Sequence, residues 1–345
     1  MLRTRRFLLL SALTILALAG SVSSVIAKGF ERQYTFTAER FRLANLIGEI
    51  DLEPASGSSF EVEIDVQGND ASEDLIEIEL EEGGDAELVI RFPVKEHRRY
   101  VYPALGRRSK TTIDSRHYKQ TDDSLSGLLG LFGRRRIEVR GRGKGLEMWA
   151  DVVLRVPQGA KVKVYHGVGE ILAGGIEADL ELYTRSGGVT GEDLKGNLLV
   201  DTGSGGVELV GCRGEVILVD TGSGGVAVSD IECEELTVDT GSGGVRARHV
   251  SAEDVKIDTG SGGVKLELDR MGAGTYEIDT GSGGIDLFLP PDPSARISAD
   301  TGSGSITADL DGLRLRRRKD TSFKVGDGDA VIVLDTGSGS IRISN

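Results

Sequence analysis

A seven-residue segment, DTGSGGV, begins at residue 201 and returns at 220, 239 and 258; it reappears as DTGSGGI at 279 and DTGSGSI at 300 and 335. The intervals between successive copies are 19, 19, 19, 21, 21 and 35 residues. Weaker copies stand before them, YTRSGGV at 183–189 and YHGVGEI at 165–171, and NLIGEID at 45–51 keeps the same cadence. A period near 20 residues marks a unit that cannot bury its apolar face alone and becomes stable by stacking on its neighbours. Three residues and one residue before each Asp stand apolar pairs such as Leu198/Val200, Ile217/Val219 and Val255/Ile257. That period of two predicts a strand with one face buried. A second alternation follows the glycines, as in Val264-Lys265-Leu266-Glu267-Leu268. Each unit therefore reads as two short strands joined at a Gly-Ser-Gly-Gly corner, where glycine allows positive φ or close backbone approach. The expected fold is all-β, a β-solenoid over residues 146–345, with Thr stacked inward and Asp outward at every rung. At a strand spacing of ~4.8 Å, nine or ten rungs give a rod core of ~45 Å.

Met once, Asp-Thr-Gly-Ser matches the active-site strand of an aspartic protease. That chemistry needs two carboxylates face to face, sharing one proton across a two-fold relation. Seven copies in a translational stack make a column of Asp instead, with no room between copies for lobes or a cleft. For Asp201, Asp220, Asp239, Asp258, Asp279, Asp300 and Asp335 the reading is therefore structural, each carboxylate accepting hydrogen bonds from the N–H groups of its own turn. A divalent cation bridging neighbouring carboxylates is the sharper alternative.

Residues 1–27 carry Arg3, Arg5 and Arg6, an apolar run Phe7–Gly20 and the small residues around Ala27. This three-part pattern is that of a secretory signal peptide, and the run is shorter than the ~20 residues of a membrane span. The expected location is extracytoplasmic: periplasmic, secreted or at the cell surface. Without those three arginines the chain holds 38 basic against 55 acidic side chains, a net charge of about −17. An acidic body argues against nucleic acid as partner. Cys212 and Cys233 could pair in an oxidising compartment or stand as buried thiols in neighbouring repeats; spacing leaves both readings open. The four histidines show no metal-binding spacing, and no phosphate loop, nucleophile elbow or dinucleotide motif is found, so neither a cofactor nor a catalytic residue is expected.

Residues 28–94 alternate acidic with apolar residues, as in Glu61-Val62-Glu63-Ile64-Asp65-Val66, and read as an N-terminal strand-rich cap or degenerate rungs. Residues 95–145 break the pattern. Between 95 and 144 there are fourteen Lys/Arg against five Asp/Glu, with a polar stretch, TIDSRHYKQTDDS, in the middle. This reads as a basic, mobile insertion that could be deleted without loss of the solenoid. Its apolar Leu125–Phe132 run precedes Arg134, Arg135 and Arg136 at once, a pairing suited to an anionic surface such as lipid or lipopolysaccharide. A second basic run holds Arg316, Arg317 and Arg318 within the 35-residue interval; two basic protrusions on an acidic rod suggest an anionic partner or self-association.

The strand–Pro–Gly–strand entry DVVLRVPQGAKVKVYHGVGEI at 151–171, the TGSGGV rungs and the ending FKVGDGDAVIVLDTGSGSIRI at 323–343 resemble the bacterial candidate adhesins of the DUF4097 family. The resemblance covers 146–345 well and 30–94 loosely. It implies an extracytoplasmic β-solenoid that contacts a protein, glycan or anionic lipid of the cell envelope, and it brings no catalytic residues. A β-helix enzyme acting on carbohydrate is the second reading. Such a site needs clustered carboxylates in differing environments, whereas here the acids repeat uniformly.

Overall fold

The computed structural model describes residues 29–114 and 136–345. The segment 1–27 expected to be a signal peptide, the apolar run 125–132, Arg134 and Arg135 lie outside the described residues.

The repeats fold as the alternation dictates. Each supplies one strand to a 13-stranded sheet, turns at its glycines, and supplies a second strand to a 14-stranded sheet. We call these the Asp sheet and the partner sheet. Within the Asp sheet the repeats are parallel and in register: Val200 lies beside Val219, Asp201 beside Asp220 and Thr202 beside Thr221, and the pattern continues from rung to rung. Parallel neighbours need a crossover, and here the crossover is the other sheet. Inward residues such as Ile217, Val219, Leu236, Val238, Val255 and Ile257 are buried, and one apolar cluster runs from Phe36 to Ile343. Outward positions on the same strands are mostly charged or polar, with Val216, Val331 and Val333 as exposed exceptions, and a one-residue slip would turn the whole inward apolar set to water.

Spatial order departs from chain order at the C-terminal end. The strand Ala330–Thr336 lies between Thr275–Thr280 and Ala295–Thr301, and Ile341–Ser344 lies between Ile285–Phe288 and Ile306–Leu310. The last rung in sequence is thus the penultimate rung in space. Beyond the usual Ile306–Leu310, the 35-residue interval adds two strands, Leu313–Arg317 and Thr321–Val325. They run antiparallel to the end rung and form the outermost strand of each sheet.

At the N-terminal end, Arg40–Ile47 and Ile50–Pro54 make a rung of their own around Gly48, the cadence heard in NLIGEID. They stack parallel on Lys161–Val168 and Ile171–Gly174. The strand Trp149–Val156 is parallel to Ile50–Pro54 on one side and antiparallel to Phe60–Gln67 on the other. Phe36, Phe41 and Phe60 fill this end with ring centroids 4.9–5.6 Å apart.

Part of the expected basic, mobile insertion over 95–145 forms strands, while residues 115–135 within it lie outside the described residues. Arg99–Val101, Lys110–Asp114 and Arg136–Arg140 join Leu146–Glu147 in a separate four-stranded sheet. Tyr100, Ile113, Ile137 and Val139 are buried, with Tyr100 at 5.8 Å from Phe92 and Tyr102 at 5.8 Å from Trp149. The alternation in Arg-Ile-Glu-Val-Arg is a strand signal that the surrounding arginines concealed. Glu138 offsets part of the charge, since Lys110, Arg99 and Arg140 all reach it.

Candidate functional site

The repeated corner is built by threonine. Thr221 Oγ1 donates to the Gly205 carbonyl of the preceding rung at 3.0 Å and accepts the N–H of Gly224 in its own corner at 3.0 Å. Thr240, Thr259, Thr280, Thr336 and Thr301 repeat both bonds, the inter-rung bond measuring 2.7–3.0 Å. Each hydroxyl is buried. It closes its turn and ties that turn to the next rung. The expectation that Asp closes the turn is corrected accordingly: Asp239, Asp258, Asp279, Asp300 and Asp335 point outward and are exposed, and the corner N–H group is taken by Thr. Asp201 is half-buried and Asp220 exposed at the head of the same ladder.

Register makes these seven carboxylates one line along the Asp sheet, in the spatial order 201, 220, 239, 258, 279, 335, 300. Like charges on adjacent strands repel. At Asp279 the effect is resolved: partial burial, with Asp258 on one side and Asp335 on the other, raises its pKa above the ordinary carboxylate value. Towards the N-terminal end the line passes to Tyr183 and Tyr165, whose rings stack at 5.3 Å. Lys163 Nζ lies 5.2 and 5.6 Å from the two ring centroids. No facing pair of carboxylates exists on this ladder, because every Asp occupies the same side of one sheet.

On the other side of the corner a lateral groove of about 1070 Å³ runs along the partner sheet. Its floor is the last glycine of each corner, Gly206, Gly225, Gly244 and Gly263 among them, and its wall carries Glu208, Arg246, Lys265 and Arg342. The corner glycines differ in what demands them. A Cβ on Gly243 would stand 1.7 Å from the Gly224 carbonyl oxygen, and one on Gly241 would stand 2.5 Å from that of Gly222. A Cβ on Gly244 would meet the nearest carbonyl at 3.3 Å, and serine occupies the equivalent place at 305 and 340. Only the first two glycines are required by close approach.

At the N-terminal end of the threonine column stands His166, in register with Asn45 and Thr184. Its ring is buried, with Nε2 3.0 Å from the Gly48 carbonyl and Nδ1 3.3 Å from that of Asn45. A neutral imidazole donates from one nitrogen only, and both carbonyls belong to the rung before, so either tautomer bonds across the rungs. His166 thus makes the inter-rung bond that threonine makes elsewhere. Burial pushes its pKa down to about 4, against the raising effect of the two carbonyls.

Both cysteines are free thiols, Cys212 buried and Cys233 half-buried. Burial raises both pKa values, that of Cys233 to about 12, so neither is poised as a thiolate. Among the described residues one group brings three ligand-type atoms within 4.8 Å of each other: His249, Glu267 and Asp269. His249 and Asp269 already form an ion pair at 3.2 Å, which raises the histidine pKa. These residues stand about one rung apart in sequence, a spacing that motif searching passes over and rung register reveals. Near the C-terminal end Asp309 is held by Arg314, and Asp329 accepts from Ser294.

The basic candidates are not brought together. Arg136 is exposed at the start of a strand in the small sheet beside the N-terminal half, whereas Arg316, Arg317 and Arg318 are exposed at the far end of the rod.

A family model described as Toastrack DUF4097 matches residues 147–344. No curated protein matches the chain as a relative. Two solved structures align with it. One is a candidate cell adhesion protein from Clostridium sporogenes, 14% identical, covering 92% of this chain and 99% of that chain with a TM-score of 0.22. The other is a candidate lipid binding protein from Parabacteroides distasonis, 13% identical, covering 92% of this chain and 96% of that chain with a TM-score of 0.39. Superpositions this loose say nothing about what this chain binds.

Proposed function

Because the chain belongs to the DUF4097 Toastrack family, we propose that it serves as a non-enzymatic interaction rod outside the cytoplasm, an adhesin or envelope scaffold whose long sides contact a cell-envelope component. The observation that carries this reading is the in-register ladder. From Asp201 to Asp300 the same side chain recurs at strand spacing, flanked by the same corner and the same groove. Acid–base chemistry relies on groups whose environments push their pKa values apart at one place. A ladder offers equivalent environments in a row, which suits an extended ligand with its own repeat. Charged side chains such as Glu208, Arg246 and Arg342 beside valines and glycine backbone suit a glycan strand, which presents hydroxyls and apolar ring faces together.

The test is binding of purified protein to envelope glycan fragments of increasing length. Affinity that grows with length until the rod is spanned supports the reading. Flat affinity, or none, removes the glycan and leaves envelope protein or anionic lipid as the contact. Robust turnover of any glycan would overturn the non-enzymatic role in favour of the carbohydrate-active alternative. Cell fractionation addresses location: protein recovered outside the cytoplasm without residues 1–27 is the expected outcome.

A further inference from the structure

We propose that the rod assembles end to end, the basic C-terminal edge of one copy seating on the acidic N-terminal edge of the next. Both sheets are open at both ends. In the partner sheet the outermost strands are Phe30–Phe36 and Leu313–Arg317; in the Asp sheet they are Glu77–Glu81 and Thr321–Val325. Each is hydrogen-bonded to a strand on one side only among the described residues, leaving a row of backbone donors and acceptors on the other. The core is unfinished at the same places. Leu313, Leu315, Phe323 and Val325 at one end, and Phe30, Tyr34, Ile78 and Leu80 at the other, pack on the core but stay half-buried. A further layer would complete their burial.

Charge selects which layer. Residues 73–85 hold seven carboxylates and no Lys or Arg, whereas 314–324 hold six cations and one Asp. Some are engaged within the rod, as in the pairs Glu73–Arg32, Glu79–Arg91, Asp85–Arg40 and Arg314–Asp309. Asp74, Glu77, Glu81 and Glu82 at one end, and Arg316, Arg317, Arg318, Lys319 and Lys324 at the other, make no ion pair among the described residues, and all are exposed. Two like ends repel, so head-to-head pairing is disfavoured and only head-to-tail contact joins opposite charges. In that contact the Asp sheet of one copy continues into the Asp sheet of the next, the Lys324 strand facing the Glu77–Glu81 strand. Such a heterologous contact leads to an open filament unless the rotation per copy closes a ring.

The experiment is sedimentation velocity of the purified protein over a wide range of concentration at low and high salt, with two charge-reversed variants. One carries Arg316→Glu, Arg317→Glu and Arg318→Glu; the other carries Glu77→Lys, Glu81→Lys and Glu82→Lys. The parent is expected to form larger species as concentration rises at low salt and to lose them at high salt. Each variant alone, having two ends of one sign, is expected to associate at least about tenfold more weakly. Mixing the two variants presents opposite ends again and is expected to restore the larger species, which also shows that both fold. A parent that stays monomeric throughout overturns the proposal and leaves the end charges as blockers of sheet pairing. Variants that assemble alone as the parent does overturn it equally.

Discussion

Thr240 shows how much of this fold rests on one hydroxyl per rung: it donates at 3.0 Å to the rung before and accepts at 3.0 Å within its own corner. Serine would keep both bonds, and valine would leave a buried N–H and carbonyl unpaired. His166 fills the same place by different means, and that difference makes the rod sensitive to pH. Its folded pKa, about 4, is depressed below the unfolded value near 6.5. The unfolded chain therefore binds the proton first. The stability held by the neutral ring is fully present above pH ~6.5 and is lost as pH falls towards 4, at up to ~1.4 kcal/mol per pH unit and of order 3 kcal/mol in all. Chemical denaturation at pH 7, 5.5 and 4 is expected to show this slope in the parent and a shallower one in His166→Thr. Equal slopes would separate the ring from the acid sensitivity.

At the scale of elements, the corner and the inserted sheet each make a prediction. Gly243→Ala places a methyl group against the backbone of the neighbouring rung and should cost about 1–3 kcal/mol or unfold the local stack. Gly244→Ser, one residue on, imitates what the chain already does at Ser305 and Ser340 and should melt close to the parent. If both behave alike, close approach is not what keeps the first glycine. The small sheet gives deletion of 98–143, within the 95–145 insertion, a cost that the sequence alone did not suggest. Removing it deletes three strands, strips Phe92 and Trp149 of their aromatic partners, and uncovers apolar surface near the N-terminal rungs. The deleted protein is expected to melt several degrees lower, with increased binding of a hydrophobic dye; an unchanged melting curve would return the segment to the status of a loop.

Over the whole molecule the Asp line is a fixed electrostatic load. Asp279 marks the sign: its folded pKa stands above the unfolded value, so its contribution is full at low pH and is lost as pH rises through the folded pKa. At neutral pH the ladder therefore opposes the stack, and screening should relieve it over ~8 Å at physiological ionic strength. Added sodium chloride is expected to raise the melting temperature at pH 7, and the increase should shrink in the Asp258→Asn, Asp279→Asn double variant. Calcium and chelator at matched ionic strength separate screening from a specific cation: coincident curves assign the response to screening, while a rise with calcium alone would assign it to bridging.

The sequence by itself determined the rung. Period two fixed which residues face inward, and the recurrence of Asp-Thr-Gly in every unit fixed the register, because a slip would expose Val200 and Val219 together with every stacked neighbour. It also placed Asp outward and Thr inward, although not that the threonine hydroxyl would close the corner, since Asp and Thr both carry side-chain acceptors and only the direction of each strand face chooses between them. Tertiary structure alone decided the order of the last rungs. Repeats of one chemistry are interchangeable neighbours, so the rung bearing Asp335 fits beside Asp279 as well as the rung bearing Asp300 does, and the 35-residue interval permits either. The choice followed from Leu313–Arg317 and Thr321–Val325, which pair antiparallel with the end rung and carry the chain back inside it. The same holds for the strands of 99–140: their pairing is non-local, and a pattern of two or three apolar residues among arginines acquires a partner only when the sheet exists.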